Sequence, residues 1–233
     1  MTSFLKYLRY WVFIGTNWNF PLAFFTILHE IRGEKKYQVD TIRLDRLHHL
    51  QVTGDNRQHA SIYQACNYYV LEKGFDFMTA RGIREPLVDF GCGKGRVLAV
   101  AARYGFTEIT GVEFSPALCA LAEKNLDVVR PIYPGARFTV VCEDATRYHI
   151  GPRERVFFFF NPFDEVVLLA VVKNLLASLR EHPRQVYVLY ANAVHREVLL
   201  SAGFEELYQF RKMTYLEMTI FTMNPGEDPV DRE

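Results

Sequence analysis

Hydrophobic residues in the second half of the chain occur in short runs that alternate with segments of helical spacing. This alternation is typical of βα units and predicts a parallel sheet. The predicted strands are residues 87–90, 109–112, 138–141, 156–160 and 186–190. The fourth of these is apolar on both faces, which places it in the centre of the sheet. Two further strands, 204–210 and 215–223, are only a few residues apart and predict an antiparallel hairpin.

Turn and capping residues separate these elements. Ser115 followed by Pro116 predicts the start of one helix, and Asp164 predicts the start of another, with an apolar stripe from Leu168 to Leu179. Gly105 and Gly203 each follow a helical segment and predict its end. The chain is therefore expected to contain five βα steps and a final antiparallel pair.

The amino-terminal segment, residues 4–28, is rich in apolar and aromatic side chains. Polar residues and a proline interrupt it at Lys6, Arg9, Asn17, Asn19 and Pro21, so no run reaches the ~20 apolar residues of a membrane span. Two interpretations fit the pattern. One is a pair of helices packed on the domain. The other is peripheral membrane contact through an in-plane anchor, whose residues would be Trp11, Phe13, Trp18, Phe24 and Phe25 beside Lys6 and Arg9.

The polar stretch at 32–60 contains a basic cluster and predicts a connector, and residues 61–81 have the spacing of an amphipathic helix. The expected organisation has three parts. Residues 1–84 form an aromatic-rich, mainly helical extension or lid, residues 85–223 form the α/β domain, and residues 224–233 form a flexible tail.

Composition and charge exclude several classes of protein. The chain has 233 residues, of which 49% are hydrophobic, so intrinsic disorder is excluded for most of it. With 27 basic and 27 acidic residues the net charge is zero, which argues against nucleic acid as a partner. The four cysteines include no CxxC pair, so we expect no metal site and a reduced, cytoplasmic protein.

The candidate chemistry begins where the first strand meets a glycine-rich turn, Asp89-Phe90-Gly91-Cys92-Gly93-Lys94-Gly95-Arg96. Such a turn lets a ligand approach the backbone closely in front of a helix N-terminus. Its spacing is GxGxG and differs from the GxGxxG dinucleotide fingerprint and from the P-loop. Asp89 would repel a pyrophosphate but can accept hydrogen bonds from an ammonium or hydroxyl group.

The next two strands also end in acidic residues. Glu113 follows the second strand, where a carboxylate can accept both hydroxyls of a ribose. Asp144 and Ala145 follow the third strand, where a carboxylate and a backbone N–H can pair with adenine. The three strand ends therefore predict one site for an amino-acid group, a ribose and an adenine.

Together these motifs resemble those of class I S-adenosylmethionine-dependent methyltransferases over roughly residues 85–223. The resemblance implies an α/β, doubly wound, mostly parallel seven-strand sheet with an antiparallel C-terminal hairpin strand. It implies S-adenosylmethionine as cofactor and S-adenosylhomocysteine as product. The cofactor-binding residues it implies are Tyr63, Gln64, Asp89, Gly91, Cys92, Gly93, Gly95, Glu113, Phe114, Asp144, Ala145 and Asn161. A cofactor-binding scaffold without catalysis is the competing class.

The fourth strand is followed by Asn161-Pro162-Phe163, which resembles the [DNS]PP[YFW] motif of amino-methylating members but has one proline instead of two. The resemblance implies that these three residues orient an unidentified methyl acceptor through nitrogen or oxygen. A protein side-chain amine is the first candidate, and a small-molecule or lipid-like acceptor is the alternative. The structural interpretation is that Asn161 caps the next helix and Phe163 belongs to the core.

Overall fold

The computed structural model describes residues 3–42, 64–160 and 164–224. The strands in these ranges are β1 (Leu87–Phe90), β2 (Glu108–Glu113), β3 (Arg137–Cys142), β4 (Val156–Phe159), β5 (Val186–Ala191), β6 (Glu205–Lys212) and β7 (Leu216–Met223). The helices are α1 (Ser3–Asn17), α2 (Phe20–Tyr37), α3 (Tyr68–Ala80), α4 (Arg96–Arg103), α5 (Pro116–Val129), α6 (Glu165–Glu181) and α7 (Arg196–Ser201), with a 3-10 turn at Ala145–Arg147.

The strands form one seven-stranded sheet in the order β3-β2-β1-β4-β5-β7-β6. β7 runs antiparallel to both of its neighbours, β5 and β6, so the other six strands share one direction. β4 lies beside β1 in the centre, with Phe90 in register with Phe159. The predicted fold class, including the central position of the fourth strand, is confirmed.

Local signals set the helix ends as expected. The Ser115 hydroxyl accepts a hydrogen bond from the Leu118 N–H, and Pro116 occupies the first turn of α5. The Asp164 carboxylate accepts from the first N–H groups of α6. After α4, Gly105 adopts φ 87°, a left-handed conformation that suits glycine at this position. Single residues were enough to predict these helix ends, because a capping residue contacts only the neighbouring turn of its own helix.

Alternate side chains of the strands build a core on each face of the sheet. Leu87 and Val156 face helices α3, α4 and α5, whereas Val88 and Phe157 face α6 and α7. Residues of α1 and α2, such as Ile14 and Leu22, are buried in the first of these cores. The amino-terminal helices therefore share a hydrophobic core with the sheet, and the lid role expected for the extension stays a prediction.

Helices α1 and α2 form an antiparallel hairpin whose open end is joined by polar contacts to Glu34. The Lys6 ammonium lies 2.7 Å from the Glu34 carboxylate, and the Tyr7 hydroxyl donates to it at 2.8 Å. The other Glu34 oxygen accepts from the backbone N–H groups of Thr41 and Ile42. One carboxylate thus fixes α1, α2 and the chain that follows α2.

The connector predicted for residues 32–60 is wrong over its first part. Residues 32–37 are the last turns of α2, and Thr41 and Ile42 are buried. The error has a physical cause, since Glu34 is buried and is paired with Lys6 of α1 and with backbone donors instead of being solvated. Residues 43–60, and the tail from residue 225, lie outside the described residues.

A buried ion pair joins this hairpin to the sheet. Arg96, the first residue of α4, lies 2.7 Å from Glu30 of α2, and both side chains are almost completely inaccessible to solvent. The guanidinium also donates to the Thr41 hydroxyl at 2.7 Å and to the Cys66 carbonyl at 2.8 Å. It stacks over the Tyr68 ring at 4.0 Å. Arg96 therefore holds four segments together directly behind the glycine-rich turn.

The helices within the described ranges include none whose length and hydropathy would let it cross a bilayer.

We expect Glu30→Ala to lower the free energy of unfolding by about 3–5 kcal/mol, because it removes the carboxylate paired with the buried Arg96 guanidinium. Burial raises the pKa of Glu30 to about 7 despite the opposing influence of Arg96, so the neutral isostere Glu30→Gln should lose less. Urea denaturation measures both.

The matched control is Arg153→Ala, which removes the exposed ion pair with Glu108 and should change stability by about 0–1 kcal/mol. Equal losses for Glu30→Ala and Arg153→Ala would show that the buried pair does not hold the hairpin to the sheet.

Candidate active site

The glycine-rich turn after β1 lies tightly against β2. Gly91, Gly93 and Gly95 all have positive φ, at 76°, 54° and 79°, which L residues with a side chain rarely adopt. The N–H groups of Gly91 and Cys92 both donate to the Val112 carbonyl, at 2.8 and 3.1 Å. The turn therefore brings its backbone to the carboxyl edge of β1 and β2.

Gly111 of β2 makes this close contact possible. A Cβ atom at this position would lie 2.7 Å from the Cys92 sulfur, inside van der Waals contact. Cys92 is buried in the gap that the missing side chain leaves, and burial is the main reason that the pKa of its thiol is raised. Cys92 thus packs beneath the turn, consistent with a structural role for its side chain.

The Glu113 carboxylate at the end of β2 is fixed by backbone donors. One oxygen accepts from the Gly93 N–H at 3.0 Å, and the other accepts from the Ser115 N–H at 2.9 Å. Burial raises the pKa of Glu113, and the hydrogen bonds from Ser115, Gly93 and Phe114 oppose that rise. The carboxylate therefore connects the glycine-rich turn to the start of α5 in one defined orientation.

Asp89 is the second buried carboxylate of this edge. Its side chain is 2% exposed, and its Oδ2 atom has no hydrogen-bond partner within the described part of the chain. Burial, and then the charge of Glu113, raise the pKa of Asp89 well above its usual range. Because no positive side chain of the described ranges offsets these effects, this edge of the sheet suits a ligand that carries a cationic group.

The third strand end is a polar turn. The Asp144 Oδ1 atom accepts from the N–H and the hydroxyl of Thr146, at 2.9 and 2.8 Å, and so caps the 3-10 turn that Ala145 begins. Asn174 of α6 donates to the Thr146 carbonyl at 2.7 Å. These bonds fix the half-buried Asp144 and Ala145 beside the end of β2.

The structure brings most of the expected site residues to one edge. Asp89, the three glycines and Cys92, Glu113 with half-buried Phe114, and Asp144 with Ala145 lie at the carboxyl ends of three adjacent strands. Gln64 is exposed and is hydrogen bonded to Tyr10 of α1. Its role toward a ligand stays a prediction.

Four further candidates, Tyr63, Asn161, Pro162 and Phe163, lie outside the described residues. The end of β4 at Phe159 is described, and it lies beside the end of β1. The edge therefore continues from the two buried carboxylates to the end of β4, two residues before Asn161 in the sequence.

Two contacts of this edge are not indicated by the local sequence pattern. The buried pair of Arg96 with Glu30 supports the glycine-rich turn from behind. The Cys119 thiol donates to the Glu113 carbonyl at 3.3 Å. A buried arginine next to a glycine-rich turn implies an acidic partner, but nothing in the local pattern indicates that this partner is Glu30.

The described ranges contain no group of three or more His, Cys, Asp or Glu side chains placed to bind a metal ion. Residues 87–184 match the family model of a methyltransferase domain. Over these 98 of the 233 residues the chain is similar to methyltransferase domains. The match begins at β1 and ends just before β5, so it contains all three strand ends of the site. The amino-terminal hairpin and the β6–β7 pair lie outside it.

Solved methyltransferase structures share the fold of this chain at low sequence identity. A magnesium protoporphyrin IX methyltransferase from Synechocystis PCC 6803, solved with SAM bound, is 16% identical at a TM-score of 0.51 and covers 66% of this chain and 77% of its own. A candidate RNA methyltransferase from Pyrococcus horikoshii is 15% identical at a TM-score of 0.52, with coverages of 77% and 95%. A bacterial Hen1 methyltransferase domain is 18% identical at a TM-score of 0.50, with coverages of 66% and 97%. A search among curated proteins found no match.

We expect Asp89→Asn to change how stability depends on pH in the ligand-free protein. A carboxyl whose pKa is raised by folding stabilises the fold below its unfolded pKa of about 4, and this contribution is lost as the pH rises through the folded pKa. Asparagine does not ionise, so the variant does not lose stability in this way as the pH rises. Its free energy of unfolding should therefore exceed that of the wild type by more at pH 8 than at pH 5.

The control for this prediction is Asp127→Asn, which changes an exposed carboxyl on α5. Urea denaturation at the two pH values gives both profiles. The same pH profile for Asp89→Asn and the wild type would contradict the buried, uncompensated state of Asp89.

Proposed function

We propose that the chain is an S-adenosylmethionine-dependent methyltransferase that acts on a nitrogen or oxygen acceptor. The observation that carries the proposal is the pair of buried carboxylates, Asp89 and Glu113, at adjacent strand ends beside a glycine-rich turn. A pyrophosphate would be repelled there. S-adenosylmethionine is a chemical match because it carries an ammonium and a sulfonium charge and two ribose hydroxyls.

Each strand end would hold one part of this cofactor. Asp89 would accept from the ammonium group beside the Gly91 turn, and Glu113 has lone pairs that the ribose hydroxyls could use besides those facing Gly93 and Ser115. Asp144 and the Ala145 N–H would face the adenine. Gln64 and Tyr63 are proposed to close over the carboxylate end. The structure of another methyltransferase of this fold with SAM bound supports the choice of cofactor.

When bound, S-adenosylmethionine supplies an electrophilic methyl group, so the protein has to align the acceptor and exclude competing nucleophiles. We propose that Asn161, Pro162 and Phe163 orient the acceptor. The support is position, because the end of β4 adjoins the end of β1 at the centre of the sheet. The crevice outside the carboxyl ends of the strands is where open α/β sheets bind ligands.

A protein side-chain amine is the first acceptor class to test. The second class, a lipid-like acceptor, is favoured by the exposed apolar side chains of α1 and α2. A labelled-methyl assay against a lysate, fractionated into protein, nucleic acid, lipid and small molecules, distinguishes these classes. Cofactor binding without transfer to any fraction would instead indicate a scaffold.

We expect Asn161→Ala to lower kcat in this assay while cofactor affinity stays near the wild-type value, because an interaction used mainly in the transition state acts on turnover. If Asn161 only caps a helix, the variant should lose about 1 kcal/mol of stability and keep its turnover. Measuring thermal stability and turnover on one preparation separates the two roles.

A further inference from the structure

The α1–α2 hairpin carries an unusual concentration of exposed apolar side chains. We call this set the hairpin face, and it consists of Leu5, Leu8, Val12, Phe13, Trp18, Phe20, Phe24 and Ile31. Phe24 is the most exposed, at 69%. An exposed apolar surface of this kind is typical of a site that meets another protein or a membrane.

Aromatic side chains of the two helices are in contact near the turn that joins them. Phe20 of α2 contacts Trp11 of α1, with ring centroids 5.2 Å apart, and lies directly over Gly15. Trp18, between the helices, packs edge-on against Phe13 at 5.9 Å. The spacing of Leu5, Leu8 and Val12 on α1, and of Phe20, Phe24 and Ile31 on α2, keeps each stripe on one side of its helix.

The exposed charged side chains that α1 and α2 themselves carry, within their described residues, are basic. Arg9 lies within the α1 stripe, and Arg32 and Lys35 flank Ile31 on α2, all of them exposed. The acidic residues of the same two helices, Glu30 and Glu34, are both buried and paired with Arg96 and Lys6. The hairpin therefore presents apolar and basic groups to solvent and keeps its acidic groups inside.

We propose that the hairpin face docks on an anionic lipid bilayer, with α1 and α2 lying in the plane of the interface. Aromatic and aliphatic side chains on one face, with basic residues beside them, are the features that such helices use. The buried Glu30–Arg96 pair and the shared core would hold the methyltransferase domain at the membrane as one body with the hairpin. The proposal is independent of methyl transfer.

The chain provides its own fluorescent probe for this surface. Its two tryptophans are Trp11 and Trp18, and both belong to the hairpin. We expect vesicles of equal parts phosphatidylglycerol and phosphatidylcholine to shift the tryptophan emission of the full chain to shorter wavelength and to carry the protein in flotation. Vesicles of phosphatidylcholine alone should bind it more weakly, and added salt should weaken binding to the anionic vesicles.

Substitutions separate the apolar and the electrostatic contributions. Phe24→Ser should weaken binding to the anionic vesicles by about tenfold. The charge reversal Arg32→Glu/Lys35→Glu should weaken binding and remove its salt dependence. The control is Leu169→Ser, which changes a similarly exposed apolar residue on α6, on the other face of the sheet, and should bind as the wild type does.

Two results would overturn the proposal. One is the absence of vesicle binding by the folded wild-type chain. The other is a dimer in sedimentation analysis that Phe24→Ser converts to monomer, because the hairpin face would then be an interface between two copies. Cofactor affinity measured on the same preparations distinguishes failure of this proposal from failure of the proposed function.

Discussion

The site depends on two carboxylates, Asp89 and Glu113, that are buried at neighbouring strand ends. Asp89 and Glu113 each have a raised pKa, and the charge of Glu113 is itself one reason for the shift at Asp89. The glycine-rich turn, the gap at Gly111 and the start of α5 all serve to fix Glu113 in this position. A buried arrangement of like charges is unfavourable alone and is relieved by a cationic ligand.

A buried ion pair between Arg96 and Glu30 connects the amino-terminal helices to this site. Arg96 follows the glycine-rich turn directly and contacts Glu30, Thr41, Cys66 and Tyr68. The amino-terminal hairpin is thereby joined to the carboxyl edge of the sheet, although it lies outside the part of the chain that matches the methyltransferase model. Whatever the hairpin contacts is therefore connected mechanically to the turn.

Features that depend on neighbouring residues could be predicted from the sequence. Strand β1, the Ser115 and Asp164 caps, and the acidic residues at three strand ends follow from patterns a few residues long. Contacts between residues that are far apart in the sequence could not be predicted from it. Glu34 was predicted to lie in a connector, because nothing near it in the sequence shows that Lys6 pairs with it. In the same way, nothing near Glu30 shows that Arg96 is its partner. Exposure of the hairpin face likewise depends on which side of each helix the core covers.

The most direct test of the central claim is calorimetry of S-adenosylmethionine binding in buffers of different ionisation enthalpy. If a cationic ligand relieves buried carboxyls of raised pKa, binding near pH 7 should release protons, and Asp89→Asn should release fewer and bind more weakly. Affinity and proton release that are the same in Asp89→Asn and the wild type would contradict the account.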